Sequence, residues 1–144
     1  KVIFMDLQFI PIQYDKKHAN RHLLVLDVSE VARALGATVA VSYLNVMDPG
    51  AIAGNHRHAR KLEAMRAVVG RLRVDLLDVA TGERETVILD DSGDDTYGLC
   101  LIIPPGVGHA VTNLGTTVGV LEVFASEPPR VSDDDFPCAV TPVS

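Results

Sequence analysis

Apolar and polar positions alternate along most of the chain, in short runs separated by glycine, proline and aspartate. Alternation with a period of two marks strands half buried against a core. Residues 1–15 alternate loosely around Pro11 and predict an edge strand or extended arm, because proline removes a ladder donor. Residues 23–28 predict a strand. Ser29 then caps a short helix over 30–35, which Gly36 ends. From residue 38 the pattern is almost all strand. The predicted strands are 38–47, closed by Asp48-Pro49-Gly50; 63–69, turning at Gly70; 72–79, turned through Thr81-Gly82-Glu83 into 84–89; 99–103; 109–113; and 117–125. Pro104-Pro105-Gly106 breaks the chain before 109, and the tail from Ser126, rich in proline and aspartate, is expected to wrap the outside.

No long amphipathic helix and no repeat of fixed period interrupts this pattern. Short strands with turn residues between them predict an all-β sandwich or barrel. A length of 144 residues suits one domain and one core. With 47% hydrophobic residues the chain has ample material to bury.

Charge narrows the function. A formal net charge of -6 argues against nucleic-acid binding, which leaves a basic footprint. Bases gather at Arg57, Arg60, Lys61, Arg66, Arg71 and Arg73, with Glu63 the acid among them. Acids gather at Asp90, Asp91, Asp94 and Asp95, and again at Asp133, Asp134 and Asp135. These read as solvated outer faces, with the alternative that a few bases draw an anionic substrate. Cys100 lies in an apolar run and reads as core; with Cys138 it makes no disulfide framework, which suits a reducing cytoplasm. No signal-peptide pattern opens the chain, and no apolar run approaches the roughly 20 residues that span a bilayer. His18 and His22 fall in a polar run and read as a surface turn.

The chemistry lies in two clusters. The first runs from Gly50 through His56, His58 and Glu63 to Gly70. The second runs from Gly98 through Pro104, Gly106 and His109 to Asn113. In a strand, residues two apart share a face, so His56 and His58 project together. Glu63 is five beyond His58 and would face the other way on one continuous strand. A turn over 59–62 corrects this and lets Glu63 open the next strand facing inward with Met65, Ala67 and Val69, leaving Arg66 outward. His109, Val111 and Asn113 share a face by the same rule, and the Pro-Pro-Gly bend delivers His109. Three imidazoles and a carboxylate on converging strands suit Fe(II), Mn(II), Co(II), Ni(II) or Zn(II).

These residues resemble the two signature motifs of the cupin superfamily, G-x5-H-x-H-x4-E-x6-G and G-x5-P-x-G-x2-H-x3-N. Every fixed position is met, from Gly50 to Gly70 and from Gly98 to Asn113. The resemblance covers about residues 38–125. It implies a single-domain, jelly-roll-like β-barrel with a short N-terminal helix, with residues 1–37 as an arm and 126–144 as a tail. It also implies one divalent transition metal held by His56, His58, Glu63 and His109.

The runs GNHRHARKLE, IIPPGVGHAVTNLG and EVFASEPPRVSDDDF are similar to cupins of surface-polysaccharide assembly. Those include the C-terminal cupin domain of capsular sugar reductase-epimerases and the nucleotide-sugar 3,4-ketoisomerases. This resemblance implies proton transfer next to a sugar ketone. Tyr43 or Tyr97 would serve as acid, and Arg60 and Lys61 would grip a diphosphate. The ketoisomerases commonly carry H-x-H-K and use those histidines as bases; here Ala59-Arg60-Lys61 follows His58. The rival classes are an Fe(II)-dependent dioxygenase and a small-molecule-binding cupin without turnover. A homodimer is expected, paired through the N-terminal strand and the barrel edge.

Overall fold

The computed structural model describes residues 5–15, 20–21, 23–36, 38–91, 99–128 and 134–141. Tyr97, His18, His22 and the acids Asp94, Asp95 and Asp133 lie outside the described residues. In chain order the strands are β1 (Gln8–Pro11), β2 (Gln13–Asp15) and β3 (Leu23–Val25), then helix α1 (Val28–Ala34). Next come β4 (Val41–Met47), β5 (Ile52–Arg57), β6 (Glu63–Val69), β7 (Arg71–Asp78) and β8 (Arg84–Asp90). Last come β9 (Leu99–Ile103), β10 (Val107–Asn113), β11 (Gly119–Ala125) and β12 (Phe136–Pro137).

Two five-stranded sheets enclose the core, ordered β1-β9-β6-β11-β4 and β12-β5-β10-β7-β8. All their pairings are antiparallel. The inner faces alternate as the sequence predicts. Met65, Leu101, Leu121 and Val123 of the first sheet pack on Leu72, Val74, Leu76 and Val111 of the second. Each such side chain contributes roughly 1.5–3 kcal/mol of burial, so this interior layer is what fixes the register of both sheets.

A second apolar cluster lies on the outside of the first sheet. There Val31 of α1 and the C-cap residue Leu35 cover Ile10, Ala64, Cys100, Ile102 and Phe124. Cys100 is core, as expected, and burial pushes its thiol up to about 12. Proline at the end of β1 is tolerated because β1 is an edge strand. No helix among the described residues is long and apolar enough to cross a membrane.

Several expectations needed correction. The helix is capped by Asp27, not Ser29: the Asp27 carboxylate accepts from the Ser29 backbone N–H at 2.9 Å and its hydroxyl at 2.6 Å. Two capping residues stand two positions apart here, and the carboxylate is the stronger acceptor. The strand from 38 begins only at Val41, and the stretch holding His56 forms its own strand, β5, paired with β10. Val69 does not face the core; a register shift opposite Val120 and Leu121 turns it outward. The tail does more than wrap, because β12 pairs with β5.

Candidate metal centre

Each donor reaches the site by a different local device. His56 sits near the end of β5, where Gly54 lets β5 close on β10: a Cβ there would meet the His109 carbonyl oxygen at 2.7 Å. His58 lies just past β5. Its carbonyl accepts from the Gly106 N–H at 2.8 Å, so the Pro104-Pro105-Gly106 bend is tied to the His58 backbone. Glu63 opens β6 opposite Ile103 and faces inward, while Arg66 turns out to Glu122 at 2.7 Å. His109 is in the middle of its sheet, between β5 and β7.

The four side chains meet. His56 Nε2 and His109 Nε2 are 3.0 Å apart. Glu63 Oε1 is 3.1 Å from His58 Nε2 and 3.1 Å from His109 Nε2. One donor atom from each residue lies within 4.8 Å of all the others. Glu63 and His109 are almost fully buried, whereas the His56 side chain is 30% exposed.

The far side of each ring decides which nitrogen is free. His58 Nδ1 lies 2.7 Å from the Asp134 carbonyl oxygen, His109 Nδ1 lies 3.3 Å from the Val107 carbonyl oxygen, and His56 Nδ1 lies 3.1 Å from the Asp135 carboxylate. Those oxygens only accept, so each Nδ1 carries a hydrogen, and each Nε2 presents its lone pair whenever the ring is neutral. Three lone pairs and a carboxylate oxygen therefore converge on one point. Such a set calls for a proton or a cation between its members.

This donor set fits a divalent metal. Imidazole N–H groups held by carbonyl or carboxylate oxygen are the usual support of metal-binding histidines. The 3.0–3.1 Å contacts bring the donors close enough to share one ion.

Protons compete for the same lone pairs. Burial works against the Glu63 carboxylate, yet hydrogen bonds from His109 and His58 hold its pKa well below the usual range. Burial also disfavours charge on His58, but contacts with Glu63 and the Asp134 carbonyl outweigh it and raise that pKa. His56 moves down, through burial and the neighbouring His109.

Beside the donors lies a pocket of about 50 Å³, lined by Tyr43, Asn45, Met65, His56, Glu63 and His109 among others. Tyr43 and Asn45 face it from β4. The Tyr43 hydroxyl is 3.4 Å from Glu63 Oε2, and burial followed by the Glu63 charge pushes its pKa well up. Arg60 and Lys61 do not line this pocket. Arg60 pairs with Glu127 at 3.0 Å, and the Lys61 residue is largely buried. Most of the other clustered bases are also paired: Arg66 with Glu122, Arg71 with Asp90 and Arg73 with Asp75.

The sequence did not reveal two groups. Asn113, expected only to share a face with His109, uses its amide to donate to the Met47, Asp48 and Thr117 carbonyls and to accept from Gly115 N–H. Asp134 and Asp135 reach the site from the tail; their run of aspartates looked like any solvated acidic stretch.

No protein-family model and no curated protein matches the chain. Solved structures do. CapF, the capsular polysaccharide assembling protein of Staphylococcus aureus, matches with a TM-score of 0.61 and 26% identity over 69% of this chain. The chain spans 28% of the length of CapF. NovW, a 4-keto-6-deoxy sugar epimerase from the novobiocin gene cluster of Streptomyces spheroides, matches with a TM-score of 0.73 and 17% identity, over 94% of this chain and 70% of its own. A mutant of the 3,4-ketoisomerase QdtA from Thermoanaerobacterium thermosaccharolyticum, in complex with TDP-4-keto-6-deoxyglucose, also gives 0.73 and 17%, over 94% of this chain and 89% of its own. The chain shares the cupin fold of these neighbours, a jelly-roll of two antiparallel sheets.

Proposed function

We propose that this chain is a metal-binding cupin that isomerises or epimerises a keto-sugar nucleotide in surface-polysaccharide or deoxysugar biosynthesis. The observation that carries the reading is the convergence of three imidazole lone pairs and the Glu63 carboxylate beside a pocket that Tyr43 lines. The resemblance to a sugar epimerase and a sugar ketoisomerase supports the substrate class.

His56, His58, Glu63 and His109 would hold one divalent transition metal. When bound, such a metal stabilises negative charge on a ketone oxygen. The chain's own groups then have distinct tasks. Asp135, Asp134 and Val107 hold the three rings in one tautomer. Tyr43 keeps its proton across neutral pH, because burial and Glu63 oppose the tyrosinate. Its contact with Glu63 is long for an O–H···O bond, so the hydroxyl is free to turn and donate to a substrate oxygen. A ring whose lone pair is committed to a cation cannot also accept a proton there. The histidine-base scheme of the H-x-H-K ketoisomerases therefore does not carry over.

A pocket of about 50 Å³ holds roughly four waters. It admits the reacting edge of a sugar, with the nucleotide left at the mouth. A role for Arg60 in gripping phosphate must compete with Glu127. A homodimer belongs to this reading, supported by the exposed Leu44 and Val46 on edge strand β4, and light scattering of the purified protein tests it.

The central test measures metal content, then deuterium wash-in next to the ketone of TDP-4-keto-6-deoxyglucose in heavy water, followed by NMR. Wash-in is expected, and Tyr43→Phe should slow it by about 10²-fold with metal content unchanged. No wash-in with this or a UDP-linked 4-keto sugar overturns the reading. Oxygen uptake by an iron-loaded form would move the assignment to a dioxygenase, and neither activity would leave a binding cupin.

A further inference from the structure

We infer that the C-terminal tail is a built-in part of the metal centre: Asp134 and Asp135 are positioning residues for His58 and His56, and docking of the tail and loading of the metal stabilise each other. The inference rests on the metal reading above and goes beyond the ligands.

Within residues 134–141 the tail touches the ligand-bearing segment at almost every residue. The Asp134 residue is 2% exposed, and its carboxylate accepts from three successive backbone N–H groups, Ala59 and Arg60 at 2.8 Å and Lys61 at 2.9 Å. This locks the turn between His58 and Glu63, the turn that brings Glu63 round to face the histidines. The carbonyl of the same residue takes the His58 Nδ1–H at 2.7 Å. The next residue, Asp135, takes the His56 Nδ1–H at 3.1 Å. Phe136 and Pro137 then pair with Arg57 and His56, and the Arg57 guanidinium sits 4.8 Å above the Phe136 ring.

The anchor beyond is equally specific. Cys138 N–H donates to the Asn55 carbonyl at 2.9 Å, and Val140 and Thr141 N–H both donate to the Asn55 side-chain oxygen at 2.9 Å. Asn55 adopts a φ of 58°, a conformation asparagine tolerates better than most residues. Gly108 leaves room for this packing, since a Cβ there would meet Cys138 Sγ at 2.6 Å. The tail thus grips both neighbours of His56 and the loop after His58. Metal on these rings favours the docked tail, and by linkage the docked tail favours metal by the same factor.

The test uses full-length protein, with zinc as the probe against a competing chelator. Asp135 has a side chain 54% exposed, so its replacement spares the core. Asp135→Leu, which removes the acceptor of the His56 N–H, should weaken zinc binding by about 10–100-fold. Asp135→Asn keeps an acceptor oxygen and should restore affinity to within a few-fold, with the His56 Nδ1–H tautomer visible by ¹⁵N NMR. Zinc should also slow hydrogen exchange at the Val140 and Thr141 amides, which touch no ligand. Zinc affinity unchanged in Asp135→Leu, or exchange at those amides indifferent to zinc, overturns the inference while leaving the metal reading intact. Failure of the unmodified chain to bind zinc, nickel, iron, manganese or cobalt overturns the metal reading itself.

Discussion

His109 and the pair His56 and His58 are held in opposite ways. His109 lies on a strand whose residues are all buried, flanked by β5 and β7, and its Nδ1 faces a carbonyl only two residues away on its own strand. Its orientation is local and comes with the sheet. His56 lies on a strand bordered on one side by the two-residue strand β12, and His58 lies past the end of that strand. Both rings are oriented by tail residues, the Asp134 carbonyl standing 76 positions from His58. One half of the centre is thus built into the scaffold, and the other half borrows its geometry from a distant segment.

The hardest blow to this contrast is His109→Ala against His56→Ala. Removing the 1% exposed His109 ring leaves a cavity and takes a partner from the buried Glu63 carboxylate. Such losses cost about 2–4 kcal/mol, or about 10 °C of melting temperature at this size. Zinc binding should be lost as well. His56→Ala should also lose zinc, yet lower the melting temperature of metal-free protein by only a few degrees, because that ring is partly solvated. Equal losses in calorimetry would erase the distinction between a scaffold ligand and a borrowed one.

Asn113→Leu sharpens the same contrast from the scaffold side. Its amide serves three carbonyls and one N–H across two turns, and none of these belongs to a metal ligand. Leaving such groups unpaired costs about 1–3 kcal/mol. The expected outcome in denaturant unfolding is a drop of that size, with zinc affinity within a few-fold of the unmodified chain. A large loss of zinc affinity would make Asn113 part of the centre.

The halves also differ in how legible they were. Short apolar-rich runs bounded by turn residues located β6 and β9 to the residue, and motif spacing singled out all four donors. Val69 broke the alternation because a register shift is a property of two strands, not of one. Asp134, Asp135 and their anchor Asn55 left no periodic trace, since their partners lie more than 70 positions away and the acidic run reads as solvated. The Gly54-Asn55 pair inside an otherwise regular strand was the one local sign of a backbone irregularity. The order of a site's ligands can be read along a chain, but what orients them is set by long-range docking.

The smallest expected effect isolates that docking by pH. Burial opposes the Asp134 carboxylate, but hydrogen bonds from Lys61, Arg60 and Ala59 outweigh it and hold its pKa below the usual aspartate value. A carboxylate whose folded pKa is depressed contributes stability that is complete above its unfolded pKa, near 4, and is lost as pH falls through the folded value. Asp134→Asn keeps the shape but has no charge to titrate, and its NH₂ must face a backbone N–H. The variant should therefore be the less stable at pH 6, by about 1 kcal/mol or somewhat more, and the gap should shrink steadily from pH 4 to pH 2.5. The gap comes from urea unfolding of both proteins at each pH, which cancels every other titrating group common to the two. A gap that stays constant across that window would mean the three N–H groups do not depend on the charge of Asp134, and the tail would then be held by its contacts with Asn55, His56, Arg57 and His58.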